Sequence, residues 1–127
     1  DIISSVVKLP WGAYAGREQK IKVYRNDTKA ANWVGIKLVG KGKLCRDAFG
    51  AKILVEQNGI RHMKEVDAGT GHASQSTRIL YFGLGKDSKL QKATVFWLDG
   101  RTTELSNLKK NRVYEVTSKG KVRQVDW

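Results

Sequence analysis

The chain has 127 residues, of which 40% are hydrophobic and 9% aromatic, as expected for one globular domain with an ordinary core. No run of about 18 apolar residues occurs, which excludes a predicted membrane-spanning helix. The single Cys45 excludes an internal disulfide or a multi-cysteine metal site. Lys and Arg number 24 against 12 Asp and Glu, and the formal charge of +12 favours an anionic partner.

The N-terminal part of the chain predicts two short strands separated by a loop. Residues 2–9 form an apolar run that ends at Pro10, which lacks the N–H group that a central strand needs. Residues 11–19 are small and glycine-bearing, as in a loop. Residues 21–26 alternate apolar and polar side chains, as in a half-buried strand.

Residues 32–40 predict the next strand, in which Val34, Ile36 and Leu38 share one apolar face. A hairpin follows between residues 51 and 66. Its turn is Asn58-Gly59, because both positions of a type I′ turn need a positive φ angle, which Asn tolerates and Gly adopts freely. A two-residue loop also determines the register, and the predicted cross-strand pairs are Gln57 with Ile60, Glu56 with Arg61, Leu54 with Met63, and Lys52 with Glu65.

The polar, glycine-bearing segment 67–77 predicts a loop, because neither a helix nor a buried strand has this composition. Strands are predicted after it at 78–85, 92–98, 101–105, 112–118 and 121–127. The connections are predicted as a bulge near Gly83 and Gly85, a loop or single helical turn at 86–91, a two-residue hairpin at Asp99-Gly100, and a short turn at 106–111.

The spacing of these segments predicts an all-β fold with little or no helix. About eight or nine strands recur every 8–14 residues or so, which is typical of an antiparallel β-sandwich or a partly open barrel. We therefore expect the core to lie between sheets and the connecting loops to lie outside.

Six short motifs occur in a fixed order and are followed by Asn111. They are N-W at 32–33, R-D-A-x-G-A at 46–51, E-V-x-A-G-x-G at 65–71, S-Q at 74–75, F-G-L-G at 82–85 and V-x-W-x-D-G at 95–100. In this set the chain resembles the ASPIC/UnbV family, found in FG-GAP/VCBS repeat proteins and in cartilage acidic protein. It departs from the family pattern at Cys45, His72 and Leu98, where Asn, an aromatic residue and Pro are usual.

The resemblance implies an extracytoplasmic β-sandwich module, secreted or periplasmic, at residues 28–127. Residues 1–27 would be an N-terminal strand segment, either a linker or the tail of a preceding β-propeller, since V-Y-R-N-D at 23–27 is similar to the end of a propeller blade. Because the chain begins without Met or a signal peptide, we expect a processed product or a piece of a longer protein.

Candidate ligand-binding residues lie mainly in the 67–77 loop, since recognition concentrates on loops carried by a rigid scaffold. They are Arg46, Asp47, Asp67, His72, Ser74 and Gln75. Arg46 and Asp47 have a second interpretation, a charge pair that holds the loop before the hairpin. Tyr81 and Trp97 are the nearby aromatics that sugar binding would use, although Trp97 is favoured as a core residue.

Catalysis and metal binding have little support in the sequence. His62, His72 and Cys45 show no nucleophile–base spacing, so we predict that the chain is not an enzyme. Asp67, Asp87 and Asp99 lie in different loops, and no calcium-loop pattern is present, so no metal or other cofactor is predicted.

The preferred hypothesis is a non-catalytic binding module that contacts a glycan or protein partner through the 67–77 loop, next to an adjoining β-propeller. One alternative is a structural role, in which edge strands such as 121–127 mediate oligomers or the module packs on the propeller. Another is polyanion binding, with nucleic acid as the less favoured ligand, through a basic patch of Lys41, Lys43, Lys109, Lys110 and Arg112.

Overall fold

The structure, a computed structural model, describes residues 2–4, 21–27, 31–69, 75–87 and 89–126, and the chain divides after Ala30 into two units. In the first unit, β1 (Ile2–Ser4) pairs antiparallel with β2 (Lys22–Tyr24). The prediction of a half-buried strand at 21–26 is wrong, because β2 is shorter and its side chains are exposed. A two-stranded ribbon offers too little surface to bury a face. The rest of the 2–9 run and the 11–19 loop lie outside the described residues.

The second unit contains eight strands in two sheets of four. The strands are β3 (Asn32–Val39), β4 (Lys52–Gln57), β5 (Ile60–Glu65), β6 (Ile79–Gly85), β7 (Lys89–Phe96), β8 (Thr102–Lys109), β9 (Arg112–Thr117) and β10 (Val122–Val125). One sheet has the order β10-β9-β3-β6 and the other β5-β4-β7-β8. No helix occurs among the described residues. The predicted all-β sandwich is confirmed, and the barrel is not closed.

One strand pair departs from the antiparallel prediction. β3 and β9 run parallel, with Val34 opposite Arg112 and Val39 opposite Thr117. The five strands between them in the chain bring β9 back beside β3 in the same direction. Alternation of side chains shows which face of a strand is buried, but it carries no information on the direction of a partner that is distant in sequence.

The β4–β5 hairpin forms in the predicted register, from Gln57 opposite Ile60 to Lys52 opposite Glu65. Asn58 and Gly59 have φ angles of 51° and 75°, as the type I′ turn requires. Both predicted charge pairs form, at 2.9 Å between Arg61 and Glu56 and 3.5 Å between Lys52 and Glu65.

Three predicted connections are different in the structure. The turn at Asp99-Gly100 has three residues, because Trp97 N–H bonds Arg101 O at 2.9 Å and Gly100 takes a φ of 83°. β7 begins at Lys89, so no helical turn fills 86–91, and β8 continues to Lys109, so 106–111 is not a separate turn. Asn107 lies within β8 at a φ of 58°, an irregularity that local composition did not predict. The predicted bulge is present, where the β3–β6 register shifts between Gly83 and Gly85.

The core lies between the two sheets. Val34, Ile36 and Leu38 of β3 face it, as predicted, and meet Ile53, Val55, Leu90 and Val95 of the other sheet. Trp97 is also buried, and its indole N–H donates a 2.9 Å hydrogen bond to Thr103 Oγ1. This confirms Trp97 as a core residue and removes it from any sugar-binding platform.

Candidate binding surface at the loop end of the sandwich

Five segments meet at one end of the sandwich, which we call the loop end. They are residues 40–51, 66–69, 75–78, 97–101 and 117–121, and hydrogen bonds or ion pairs connect them. The opposite end, which we call the hairpin end, contains Asn32, residues 57–59, 86–91 and 109–112.

The R-D-A-x-G-A motif forms a tightly wrapped loop at the loop end. Gly40 N–H bonds Arg46 O at 3.0 Å, and Ala48 N–H bonds Cys45 O at 3.0 Å. Ala48 and Gly50 have positive φ angles of 53° and 78°, which let the chain reverse before β4. The motif therefore determines how the chain enters the hairpin.

The E-V-x-A-G motif closes against the first one. Val66 N–H bonds Ala51 O, and Gly50 N–H bonds Val66 O, each at 2.9 Å. Val66 is buried, while Asp67 Oδ1 accepts the Gly69 N–H at 3.0 Å in an Asx turn. The first residues of the 67–77 loop therefore leave the core in a defined direction.

An ion pair holds the other side of this loop. Arg78 Nη1 lies 2.5 Å from Asp47 Oδ2, and Asp47 is half-buried while Arg78 is exposed. The predicted Arg46–Asp47 pair is wrong, since Asp47 pairs with Arg78 and Arg46 is exposed. The partner of Asp47 is 31 residues away in the chain, and adjacency in sequence did not indicate it.

The described parts of the loop, 67–69 and 75–77, are exposed and polar. Thr77 Oγ1 accepts the Ile79 N–H at 3.2 Å. Gln75 and its neighbours line two shallow cavities, of about 160 Å³ beside Leu80 and about 340 Å³ beside Lys37. His72 and Ser74 lie outside the described residues.

A second charged pair lies on the neighbouring β7–β8 turn. Arg101 Nη2 lies 2.6 Å from Asp99 Oδ2, and Arg101 Nη1 also donates to Ser118 O at 3.0 Å. The hydrogen bond from Arg101 lowers the pKa of Asp99 and raises that of Arg101. Sequence analysis did not assign this pair a role, although the D-G turn signal placed both residues in one loop.

The Asp99→Asn variant is expected to lose a small stabilisation that depends on pH. Because the folded-state pKa lies below the ordinary value of 3.8, the native pair stabilises the fold above that pH and loses its effect as pH falls through the lower folded pKa. Urea unfolding midpoints of the native chain and the variant, compared from about pH 6 to about pH 2, should converge at the acid end. A difference that is constant with pH would contradict this.

The predicted basic patch is split between the two ends. Lys41 and Lys43 follow β3 at the loop end, whereas Lys109, Lys110 and Arg112 lie where β3 begins, at the hairpin end. The length of β3 separates them by roughly 25 Å. They do not form one surface, so a single polyanion site that uses all five residues is not supported.

The predicted aromatic residues do not meet at the loop. Tyr81 lies opposite Gly35 in β3, on the face of the sheet away from the core, and contacts Trp33 edge-on with ring centroids 5.4 Å apart. Trp11 and Trp127 lie outside the described residues. The described residues of the loop end therefore present amides, hydroxyls and charges rather than an aromatic platform.

Among the described residues, no group of three or more His, Cys, Asp and Glu could hold a metal ion. His62 lies opposite Val55 on β5 and is exposed, and Cys45 is an exposed free thiol. No helix in the described part of the chain is long and apolar enough to cross a membrane.

Sequence analysis missed a polar network at the hairpin end. Asp87 Oδ2 accepts hydrogen bonds from Gln57 Nε2 at 2.7 Å and Asn58 Nδ2 at 2.6 Å. Asn32 Nδ2 donates to Asp87 O at 2.7 Å, and Gln91 Nε2 donates to Asn58 Oδ1 at 3.1 Å. These residues come from three parts of the sequence, so only the fold brings them together.

The fold and the two ends define a β-sandwich module whose short motifs form its loop connections. The model of the family described as ASPIC and UnbV matches residues 40–123, and the chain belongs to that family. The motifs at 46–51, 65–71 and 95–100 fall inside the match. Their described residues, which end at Gly69 in the second motif, converge at the loop end. No curated protein matches the chain closely.

Proposed function

We propose that the chain is a non-catalytic binding module of a larger protein and contacts a glycan or protein partner through the 67–77 loop. The observation that carries this proposal is the anchoring of an exposed polar loop on both sides. Asp67 and Val66 hold its start, and the Asp47–Arg78 ion pair holds its end. Loops on a rigid scaffold bind with a smaller loss of conformational entropy.

The chemistry of the described loop residues supports a polar ligand. The Gln75 amide and the hydroxyls of Ser76 and Thr77 can each donate and accept hydrogen bonds. They line shallow cavities rather than a deep pocket, which suits a surface contact with sugar hydroxyls or peptide groups. Catalysis is not part of the proposal.

Family membership supports an adjoining domain and an extracytoplasmic setting, and we include both in the proposal. The neighbouring domain would be a β-propeller, in a secreted or periplasmic protein. The open reading frame that encodes the chain tests both points, because it would contain a signal peptide and FG-GAP repeats. Their absence from the complete frame would contradict this part of the proposal.

The loop contact is tested with the Gln75→Ala variant on a glycan array and in pull-down experiments with the adjoining propeller. Loss of a hydrogen-bonding amide from the contact is expected to weaken binding by about tenfold. Gln124→Ala on β10 is the matched control, since Gln124 is also exposed but lies away from the loop. Equal binding by both variants, or no binding by the native chain, would contradict the proposal.

The structural alternative is supported by one observation, the edge position of β10 in its sheet. Lys121 precedes this strand and Arg123 lies on it, and such charges oppose pairing of exposed edges. Sedimentation over a range of concentrations tests the alternative. A monomer at every concentration would argue against assembly through β10.

A further inference from the structure

β5 has an unusual environment for a strand of a sandwich. All six of its side chains are exposed, although the neighbouring β4 buries Ile53, Val55 and Gln57. His62 lies opposite Val55 and Ile60 opposite Gln57, so these two side chains belong to the core-facing side of the sheet. β5 is the edge strand of its own sheet, and β6 is the edge strand of the opposing sheet. Sheet order therefore leaves β5 without a described strand across from it.

A groove of about 440 Å³ lies between β5 and β6. Its apolar lining includes Val55, Ile60, Phe82 and Leu84. Ile60 is 57% exposed, so completing this layer would bury apolar surface that now faces water. The groove has the position that one further strand beside β6 would occupy.

The outer edge of β6 has backbone groups directed into this groove. The N–H and C=O of Trp33 both bond Asn111. Gly83 lies opposite Trp33 and therefore makes no backbone hydrogen bond with it. The N–H and C=O of Gly83 point away from β3, toward the outer edge of the sheet. Tyr81 lies two residues before Gly83 on β6, so its backbone N–H and C=O also point outward. Lys64 Nζ donates a hydrogen bond to Tyr81 O at 2.5 Å.

Two features indicate the chemistry of the occupant. None of the described residues that line the groove is acidic, whereas Lys64 and His62 are part of its lining. Gln57, only 9% exposed, also lines the groove, and its Oε1 is a buried acceptor with no hydrogen-bond partner among the described residues. Charge complementarity favours a ligand with carboxylates.

We propose that this groove binds an extended peptide segment that adds as a strand to the edge of β6 and carries apolar residues and an acidic residue on its face toward β5, because Ile60 and Lys64 lie on the same side of β5. Its apolar side chains cover Ile60, and its acidic side chain pairs with Lys64. That pairing releases Tyr81 O, which joins the new hydrogen-bond ladder. The groove is a separate surface from the 67–77 loop, and this inference does not depend on the function proposed for the loop.

The test uses the 127-residue chain and a synthetic peptide as long as β6, the Val-Glu peptide, which carries Val and Glu at the positions that face β5 and Thr at the positions between them. In nuclear magnetic resonance titrations, the amide signals of Tyr81 and Gly83 are expected to shift, and their hydrogen exchange should slow. The Val-Lys peptide, in which Lys replaces Glu at the same position, should bind at least about fivefold more weakly, because it places a like charge against Lys64.

The Lys64→Glu variant should reverse this preference and bind the Val-Lys peptide more tightly. Lys110→Glu, at the hairpin end, is the matched control and should keep the native preference. Circular dichroism of both variants verifies the fold. The proposal is overturned if neither peptide moves the β6 signals, if Lys64→Glu leaves the preference unchanged, or if the same shifts appear with protein concentration alone, which would identify a second copy as the occupant.

Discussion

The Gly40→Ala variant is expected to lose about 3 kcal/mol or more of its free energy of unfolding. A Cβ atom at Gly40 would lie 2.8 Å from the Cys45 carbonyl carbon and closer still to its oxygen. The obstacle is backbone rather than the end of a flexible side chain, so the whole 40–46 loop would have to move. That movement would break the hydrogen bond between Gly40 N–H and Arg46 O, which is 3.0 Å long.

Gly42→Ala is the matched control, two residues along the same loop. Gly42 has a φ of 70°, and a Cβ there meets nothing within 4 Å, so the variant has backbone strain without a clash. Its expected cost is about 1–2 kcal/mol. Urea unfolding followed by tryptophan fluorescence measures both variants. Equal losses of free energy of unfolding in the two variants would contradict the steric argument. The effect of Gly40→Ala would then come from reduced chain flexibility alone.

The Ile53→Ala variant is expected to lose about 2–5 kcal/mol, because it leaves a cavity at the centre of the sandwich. Ile53 of β4 is fully buried. In the sheet it lies opposite Lys64 of β5 on one side and opposite Val95 of β7 on the other. Neighbouring core side chains belong to paired strands and can relax only partly. The loss should therefore exceed the transfer free energy of the deleted carbon atoms alone.

Ile60→Ala provides the control for this substitution, on the same hairpin and with the same change of side chain. Ile60 is 57% exposed, and its replacement should change the free energy of unfolding by no more than about 0.5 kcal/mol. Thermal and urea unfolding of both variants test the contrast. A loss at Ile60 as large as that at Ile53 would show that β5 is covered, and would also contradict the groove beside β6.

Local pattern was sufficient for elements whose partners lie nearby in the chain. The Asn58-Gly59 turn determined the β4–β5 register, because two adjacent residues with positive φ angles allow one alignment of the flanking strands. Alternation in β3 likewise identified Val34, Ile36 and Leu38 as core residues, because this pattern depends only on residues within the strand itself.

The candidate binding surface was only partly predictable. Candidate ligand-binding residues were predicted in both 46–51 and 67–77, and the structure joins the first segment to the start of the second through the Gly50 and Val66 backbone. Sequence adjacency suggested Arg46 as the partner of Asp47, but the folded chain provides Arg78 with better geometry. The basic residues that looked like one patch lie at opposite ends of β3.

What the sequence alone determined is most of the strands, the buried face of β3 and the Asn58-Gly59 turn, since each depends on side-chain alternation or φ preferences within a few residues. What only the tertiary structure decided is the parallel placement of β9 beside β3, the Asp47–Arg78 pair and the uncovered face of β5. These depend on which distant strands become neighbours. The order of the strands follows from the packing of the whole chain, because strand edges and charged side chains meet their distant partners only when both sheets have formed.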